Sequence, residues 1–430
     1  MCESKNVCVV VLGDIGRSPR MQYHSLSLAE MGHKVDILGY GETQPLADVK
    51  SASSIYYHYM MPCPQIPIRL LNYAFKTIWQ TINLMFLMFF IRRPDIILVQ
   101  NPPAVPTLIV CWIAAKILRA QLFVDWHNYA HSIMALNLSK DHVLVKITKL
   151  IEKFVGQRAD CNFCVTNSMK EHLMKNWNIQ ATTLYDRPQE IFQSISLEEK
   201  HKFLMKFGQK YEVFLKDCQA NETIFTNFVN NRVELKNPRP SLLISSTSWT
   251  EDEDFSTLLT ALQTFENHHN EGNEKKLPNL VCVITGKGHL KEYYCNEIAA
   301  RNWQHVIVIT PWLEFEDYPK ILASADLGVC LHTSSSGLDL PMKVVDMYGC
   351  GLPVCAYNFE SLHELVEHGK NGYVFANASQ LANQLLNWFE DFPNNKLLEQ
   401  TVTDFKKELQ KFQSLRWQEN WTNIASKHFK

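Results

Sequence analysis

The 430-residue chain lacks an excess of charge of either sign: 42 Lys and Arg stand against 44 Asp and Glu, a formal net charge of −2. A protein that tracks a nucleic-acid backbone needs a basic stripe, so nucleic acid is excluded as a main partner. No apolar run reads as a clear membrane span; the nearest is LMFLMFFI at 84–91, the end of a longer mixed segment. Residues 1–5 lead straight into a strand-like run, without the pattern of a signal peptide. Repeats of 20–50 residues and low-complexity tracts are absent, which excludes a solenoid. The twelve cysteines lack a disulfide framework. Several sit in apolar runs, such as Cys8 in VCVVVLG and Cys330 in LGVCLH, as buried thiols of an intracellular protein do. The one C-x-x-C, Cys161/Cys164, has no second pair at zinc spacing.

What remains is an ordinary globular composition, 46% hydrophobic and 20% charged. At roughly 100–200 residues per domain, it predicts two or three domains. Short apolar runs at 6–12, 34–39, 95–100 and 121–125 alternate with helix-like segments at 20–31, 66–91 and 104–118. Such alternation implies right-handed βαβ units on a parallel sheet. The rhythm weakens over 189–237, which is polar, reads as mostly helical and ends in Asn237-Pro238-Arg239-Pro240. It restarts with strand candidates at 241–246, 280–285, 305–309, 327–331 and 353–357. The expected fold is α/β, two Rossmann-like doubly wound domains facing a cleft. Expected bounds are 1–190, a helical insertion or linker at 191–238, a second α/β domain at 239–385, and C-terminal helices at 386–430 crossing back to the first. In open parallel sheets ligands sit outside the carboxyl ends of the strands, so the loops after the strands carry the functional search.

The first strand ends in Gly13-Asp14-Ile15-Gly16-Arg17-Ser18-Pro19-Arg20. Glycines here let backbone N–H groups approach a ligand at a helix start, but the third glycine of the dinucleotide fingerprint is missing. The loop reads as a substrate loop or as a tight turn with solvated charges. The segment Phe123–His131 follows another strand; its His127 is either a base working near neutral pH or a structural histidine among aromatics. In the second half, Ser248 closes a run of hydroxyls after a strand, and acids 251–254 follow as a solvated helix start. Lys287, in Thr285-Gly286-Lys287-Gly288-His289, would bring a cation to a phosphate, although the run is not a P-loop. The richest stretch is SSSGLDLPMKVVDMYGCGLPV, residues 334–354. Ser335, Ser336 and Gly337 open a helix beginning near Leu340, with Pro341 in its first turn. A helix N-terminus there suits a diphosphate. Asp339 stands at the entrance. Lys343 and Asp346, three residues apart, share one face: a cation for phosphate and a carboxylate for ribose hydroxyls, or a plain i,i+3 ion pair.

The run from Gly337 to Val354, followed by ELVEHGKNGYVF at 364–375, resembles the donor half of GT-B nucleotide-sugar glycosyltransferases. Asp346 stands where that superfamily usually has the second glutamate of E-x7-E. Leu338 occupies the spacing of the first, with Asp339 beside it, a departure that speaks against retaining chemistry. Within the superfamily, GDIGRSPRMQYH, VDWHNY, YDRP, SSTSWTEDEDF and SSSGLDLPMKVVDMYGCGLPVCAY together are similar to the chitobiosyldiphosphodolichol β-mannosyltransferase family, over nearly the whole chain.

The resemblance implies transfer of mannose from GDP-mannose to dolichol-diphosphate chitobiose with inversion, at the endoplasmic reticulum membrane, with the catalytic domains facing the cytosol. It implies no cofactor beyond the donor substrate, no metal, and other dolichol-pathway mannosyltransferases as partners. The family usually begins with a hydrophobic anchor helix, whereas this chain starts almost at its first strand. An inverting displacement needs a base for the acceptor hydroxyl and stabilisation of leaving GDP. Asp14 is the expected base, with His127 second. Gly13, Gly16 and Arg17 are assigned to the acceptor and diphosphate. Ser248, Lys287, Ser335, Ser336, Gly337, Asp339, Lys343 and Asp346 are assigned to the donor. The competing reading from another class is a non-catalytic GT-B-like scaffold in a membrane glycosyltransferase assembly. Segment 66–91 is either a buried helix of the first sheet or a helix lying partly on a bilayer, with Arg69, Lys76, Arg92 and Arg93 at head groups.

Overall fold

A computed structural model describes residues 3–65, 67–251, 253–270 and 276–430. Ile66, first residue of the 66–91 segment, and Asp252, one of the acids at 251–254, lie outside the described residues. The chain forms two compact units. The first takes in the chain up to Asp186, Ser335–Leu340 and Trp417–Lys430; the second holds Arg187–Ser334 and Pro341–Arg416.

The first unit is built on strands β1 (Asn6–Asp14), β2 (Lys34–Tyr40), β3 (Ile55–Tyr59), β4 (Ile96–Asn101), β5 (Gln121–Trp126), β6 (Cys161–Cys164) and β7 (Thr182–Thr183). They form one parallel sheet in the order β3-β2-β1-β4-β5-β6-β7. Val7 through Val11 of β1 are buried on both faces, as a central parallel strand requires. Helices α1 (Pro19–Glu30), α2 (Ala47–Ser51), α3 (Arg69–Phe90), α4 (Thr107–Leu118), α5 (Ala130–Asn137), α6 (Val143–Gly156) and α7 (Asn167–Trp177) make the connections. The strand order reverses between β1 and β4, so the crevice at their carboxyl ends is the expected ligand position.

The second unit holds α8 (Leu197–Lys210), a hairpin of β8 (Thr226–Val229) and β9 (Arg232–Leu235), and strands β10 (Ser241–Thr247), β11 (Leu280–Gly286), β12 (Val306–Ile309), β13 (Leu327–Cys330), β14 (Val354–Tyr357) and β15 (Gly372–Phe375). The last six form a parallel sheet in the order β12-β11-β10-β13-β14-β15, with its own reversal at β10/β13. Its helices are α9 (Phe255–Asn270), α10 (Lys291–Ala299), α11 (Tyr318–Ser324), α12 (Met342–Gly349), α13 (Ala378–Phe389) and α14 (Lys396–Gln413). The final helix, α15 (Trp417–Ile424), packs on α1 of the first unit.

Three local expectations are corrected. The stretch 189–237 is not simply helical. Asn230 and Asn231 both take positive φ, 50° and 61°, and close the β8–β9 hairpin. Pro341 is the N-cap of α12 rather than inside its first turn. The first strand does not stop at residue 12 but runs through Gly13 and Asp14. Strands β3, β7 and β15 escape the apolar-run criterion because they are short and half-exposed. All eleven described cysteines are free, and burial pushes the Cys161 and Cys164 thiols up to about 12, away from the thiolate a metal or a redox partner needs.

Candidate active site

In the first unit, the β1 loop is held from within. Asp14 caps the short turn Ile15–Arg17 by accepting from Gly16 N at 3.3 Å. It also accepts from Thr43 N at 3.1 Å and Thr43 Oγ1 at 2.6 Å. Arg17 Nε stands 3.5 Å from the same carboxylate, with most of its side chain in solvent. Asp14 is therefore a latch between the β1 and β2 loops. Gly16 is needed because a Cβ there would come within 2.7 Å of Thr43 O and 2.8 Å of Gln44 O. Gly13 has no such crowding. Gly13 and Asp14 also line a cavity of about 440 Å³ with Tyr40, Glu42, Lys76 and Gln80.

The carboxyl end of β5 carries a denser arrangement. Asp125 is fully buried. Arg20, near the start of α1, grips it through Nε at 2.8 Å and Nη2 at 2.9 Å. The same guanidinium reaches Asp186 at 2.8 Å and Leu184 O at 2.9 Å. His24, one turn after Arg20, accepts from Trp421 Nε1 at its Nδ1, so its Nε2 carries the proton and faces Asp125 at 3.2 Å. His127 Nε2 donates to Asp125 Oδ2 at 2.8 Å, which leaves Nδ1 with the lone pair. Burial alone would raise the Asp125 carboxyl; Arg20 and the two histidines hold it well below the usual range. Burial lowers the His24 imidazole although Asp125 pulls the other way. This is the orienting half of an acid–base dyad: a buried carboxylate fixes the tautomer and ring of a partly open imidazole.

Ser335, Ser336, Gly337 and Asp339 also belong to the first unit. Ser335 Oγ meets Ser132 Oγ at 2.9 Å and accepts from Asn128 Nδ2 at 3.3 Å. Ser336 Oγ accepts from Leu338 N at 3.2 Å, Gly337 turns at φ 78°, and Thr166 Oγ1 donates to Leu338 O at 2.6 Å. Asp339 is half-buried. Glu152, fully buried, caps the neighbouring α5 by accepting from Ala130 N at 2.7 Å, and holds His131 Nδ1 at 2.6 Å.

In the second unit, Lys343 in the first turn of α12 is paired with Glu253. Glu253 is buried, not the solvated acid expected of residues 251–254. It also accepts from Thr247 Oγ1 at 2.7 Å and Ser248 N at 2.8 Å, which ties the end of β10 to α12. Ser248 itself is exposed. Lys287, after β11, places Nζ 3.8 Å from the centre of the Trp312 ring. Gly286 takes φ 154° against Thr247 O, which packs the β11 loop onto the β10 loop. Asp346 lies half-buried on α12, close enough to Tyr318 to raise its phenol further than burial alone does. Ser248, Lys287, Lys343 and Asp346 thus share the carboxyl end of the second sheet, where α12 presents its N-terminus.

Residue-by-residue reading of the sequence missed Arg20, His24, Asp125 and Glu253. The first two carried a signal: they stand four residues apart after Pro19, on one face of the helix it starts. Glu253 carried none, because one buried acid among four looks like its neighbours.

The pattern of the glycosyl transferases group 1 family matches residues 228–404, and that of glycosyltransferase family 4 matches 21–185. The chain is 46% identical to the chitobiosyldiphosphodolichol beta-mannosyltransferase of Homo sapiens, over 98% of this chain and 92% of that one. It is 45% identical to UDP-glycosyltransferase TURAN of Arabidopsis thaliana, over 90% of each. Among solved structures it resembles Anabaena Alr3699/HepE in complex with UDP and glucose, with a TM-score of 0.64 at 14% identity, covering 99% of this chain and 100% of that one. WaaG, a lipopolysaccharide-biosynthesis glycosyltransferase, superposes with a TM-score of 0.57 at 13% identity, over 98% of this chain and 95% of that one. The fold is GT-B, and the chain belongs to the chitobiosyldiphosphodolichol β-mannosyltransferase family of glycosyltransferases.

Proposed function

We propose that this mannosyltransferase moves mannose from GDP-mannose to dolichol-diphosphate-linked chitobiose, forming a β-1,4 linkage on the cytosolic side of the endoplasmic reticulum. An α-linked donor and a β-linked product require inversion. The acceptor oxygen attacks the sugar carbon, the bond to GDP breaks with its electron pair going to the diphosphate, and the acceptor proton goes to a base. The observation that carries the reading is the Asp125–His127 pair. It leaves Nδ1 of His127 to take that proton, while the carboxylate of Asp14 is already filled by Gly16, Thr43 and Arg17. His127 is thus the base, and Asp14 positions the loop with Gly13, Gly16 and Arg17 toward the acceptor. In the second unit, Lys343, Lys287 and the first turn of α12 supply counter-charge and N–H donors for the diphosphate. Asp346 takes the ribose, Ser248 completes that pocket, and Asp339, with Ser335, Ser336 and Gly337, takes the mannose. The displacement so written draws on no cofactor or metal.

The test is transfer of labelled mannose from GDP-mannose to a chitobiose-diphosphate lipid, with the product cleaved by β- and not α-mannosidase. No transfer to that acceptor overturns the reading and leaves the scaffold role. His127→Ala is expected to lose about 10²–10⁴-fold in turnover. If Asp14→Asn abolishes turnover with GDP-mannose still bound, while His127→Ala runs near the wild-type rate, the base is Asp14.

A further inference from the structure

The second unit holds a cavity that the proposed reaction does not use. It lies at the amino end of the second sheet, where Asn279 leads into β11 and Gln304 toward β12. Ser248 and Lys287 stand at the opposite end of β10 and β11. Seven residues of strand, about 20 Å, separate the two ends, so this cavity is no part of the donor pocket. Its volume is about 1030 Å³. That is at the top of the range, about 300–1,000 Å³, of pockets that take small organic ligands. The walls are tied together. Asp391 N donates to Lys276 O at 2.7 Å, and the side-chain amides of Asn237 and Asn394 donate to each other at 2.8 and 3.1 Å.

The polar part of the lining points to an anion. Lys216, Arg239, Lys276 and Lys396 stand against two acids, Asp217 and Asp391. Among the described residues no ion pair engages the three lysines. Arg239 is only 8% exposed, and its Nη1 and Nη2 are held by Asp326 at 2.8 and 2.7 Å. Its Nε is buried and meets no acceptor, the sign of a missing partner. Lys396 opens α14, an 18-residue helix, whose positive end adds to the field of the lysines. The rest of the lining is apolar or aromatic. Leu277, Phe392 and Ile307 form part of it, and Ile307 is 37% exposed. His269 at the end of α9 lines it as well, its ring stacked on that of His305 at 3.6 Å and 11°. Burial lowers the His269 imidazole, which keeps it a neutral ring. An inorganic phosphate would meet the cations and leave this side bare.

We propose that this cavity is a second, non-catalytic site for a nucleoside phosphate. The phosphates take Lys216, Lys276, Lys396 and the orphaned Nε of Arg239 as partners. The base lies against His269 and the apolar wall, because a planar ring stacks on an aromatic one whatever its sequence of polar groups. The site goes beyond the proposed reaction and needs neither of its substrates to fill.

The experiment is calorimetric titration of the full chain with ATP, with tripolyphosphate and with adenosine. ATP is expected to bind more tightly than either of its parts. Lys276→Glu/Lys396→Glu should weaken ATP by at least about tenfold while GDP binding and mannose transfer stay at the wild-type level, which also shows that the variant folds. His269→Ala should weaken ATP by about fivefold or more and leave tripolyphosphate unchanged. Lys343→Met, which alters the donor pocket, should leave ATP binding as it was. No binding of ATP, or ATP binding that Lys276→Glu/Lys396→Glu does not weaken, overturns the proposal. So does ATP binding that only Lys343→Met weakens, since the nucleotide then sits in the donor pocket. Tripolyphosphate bound as tightly as ATP overturns the assignment to a nucleoside phosphate. ATP bound as expected without any mannose transfer counts against the proposed reaction and leaves this site standing.

Discussion

Asp125 in the first unit and Glu253 in the second are buried carboxylates beside candidate reacting groups, and the two are held in opposite ways. Asp125 is shared by a bidentate arginine and two histidines, of which Arg20 and His24 are buried and His127 is partly open. Glu253 is held by one flexible lysine, a hydroxyl and a backbone N–H. A carboxylate gripped by three basic groups cannot release one without leaving charge buried, so it fixes geometry. A carboxylate that keeps two neutral donors can hand its lysine to another anion. The first arrangement suits an imidazole that must not turn. The second suits a cation that must be free to meet a diphosphate and return.

Arg20→Met tests the rigid side and carries the largest expected effect. It strands Asp125 and Asp186 without their shared cation, at a cost of about 3–5 kcal/mol in urea unfolding. A loss under about 1 kcal/mol would mean that the cluster relaxes as easily as an exposed pair and has no claim to hold His127 still.

Lys343→Met tests the yielding side. Glu253 keeps Thr247 and Ser248, so the expected loss of stability is smaller, about 1–3 kcal/mol. Binding of GDP, followed by calorimetry, should weaken by about tenfold or more, the worth of a hydrogen bond to a charged group. Glu253→Gln sharpens the same point with a smaller change. Gln keeps an acceptor for Thr247 and Ser248 but removes the competitor for Lys343, so GDP should bind several-fold more tightly. Weaker binding would make Glu253 a positioning residue that aims the lysine rather than one that restrains it.

The two units also differ in how much the sequence discloses. Central strands are legible because burial on both faces leaves an uninterrupted apolar run, as in Val7–Val11 or Leu280–Ile284. Edge strands such as β3 are not, because half their residues face out. The β8–β9 hairpin was readable in principle from Asn230-Asn231, a pair suited to positive φ, but its strands are short and polar. In the site, the loops after the strands are found by position alone: Asp14, His127, Ser248 and Lys287 all stand at carboxyl ends. What the sequence does not disclose is which carboxylate faces which cation. Asp125 meets Arg20 from 105 residues away, and Lys343 meets Glu253 across 90. Partners so distant leave no local spacing to read, and it is their pairing that moves the proposed base from Asp14 to His127.

The smallest effect concerns acid, and it distinguishes a histidine buried beside a cation from one that is merely enclosed. Burial depresses the His24 imidazole in the folded chain, against the pull of Asp125. In the unfolded chain an imidazole takes up its proton near pH 6.5. Above that value neither state binds the proton and the folded state keeps its full advantage. As pH falls below it, the unfolded chain is protonated first, and stability drops by up to about 1.4 kcal/mol per pH unit until the folded pKa is reached. The depressed Asp125 carboxyl adds its own loss only below about pH 4. His33, His201 and His269 are lowered by burial as well, so the slope of the wild type belongs to both units. The difference between wild type and His24→Gln isolates one residue. Urea midpoints taken between neutral pH and about pH 5.5 should converge for the two proteins as pH falls, by about 1 kcal/mol. Parallel curves would place the neutral imidazole elsewhere and leave Arg20 and His127 as the only groups that Asp125 must satisfy.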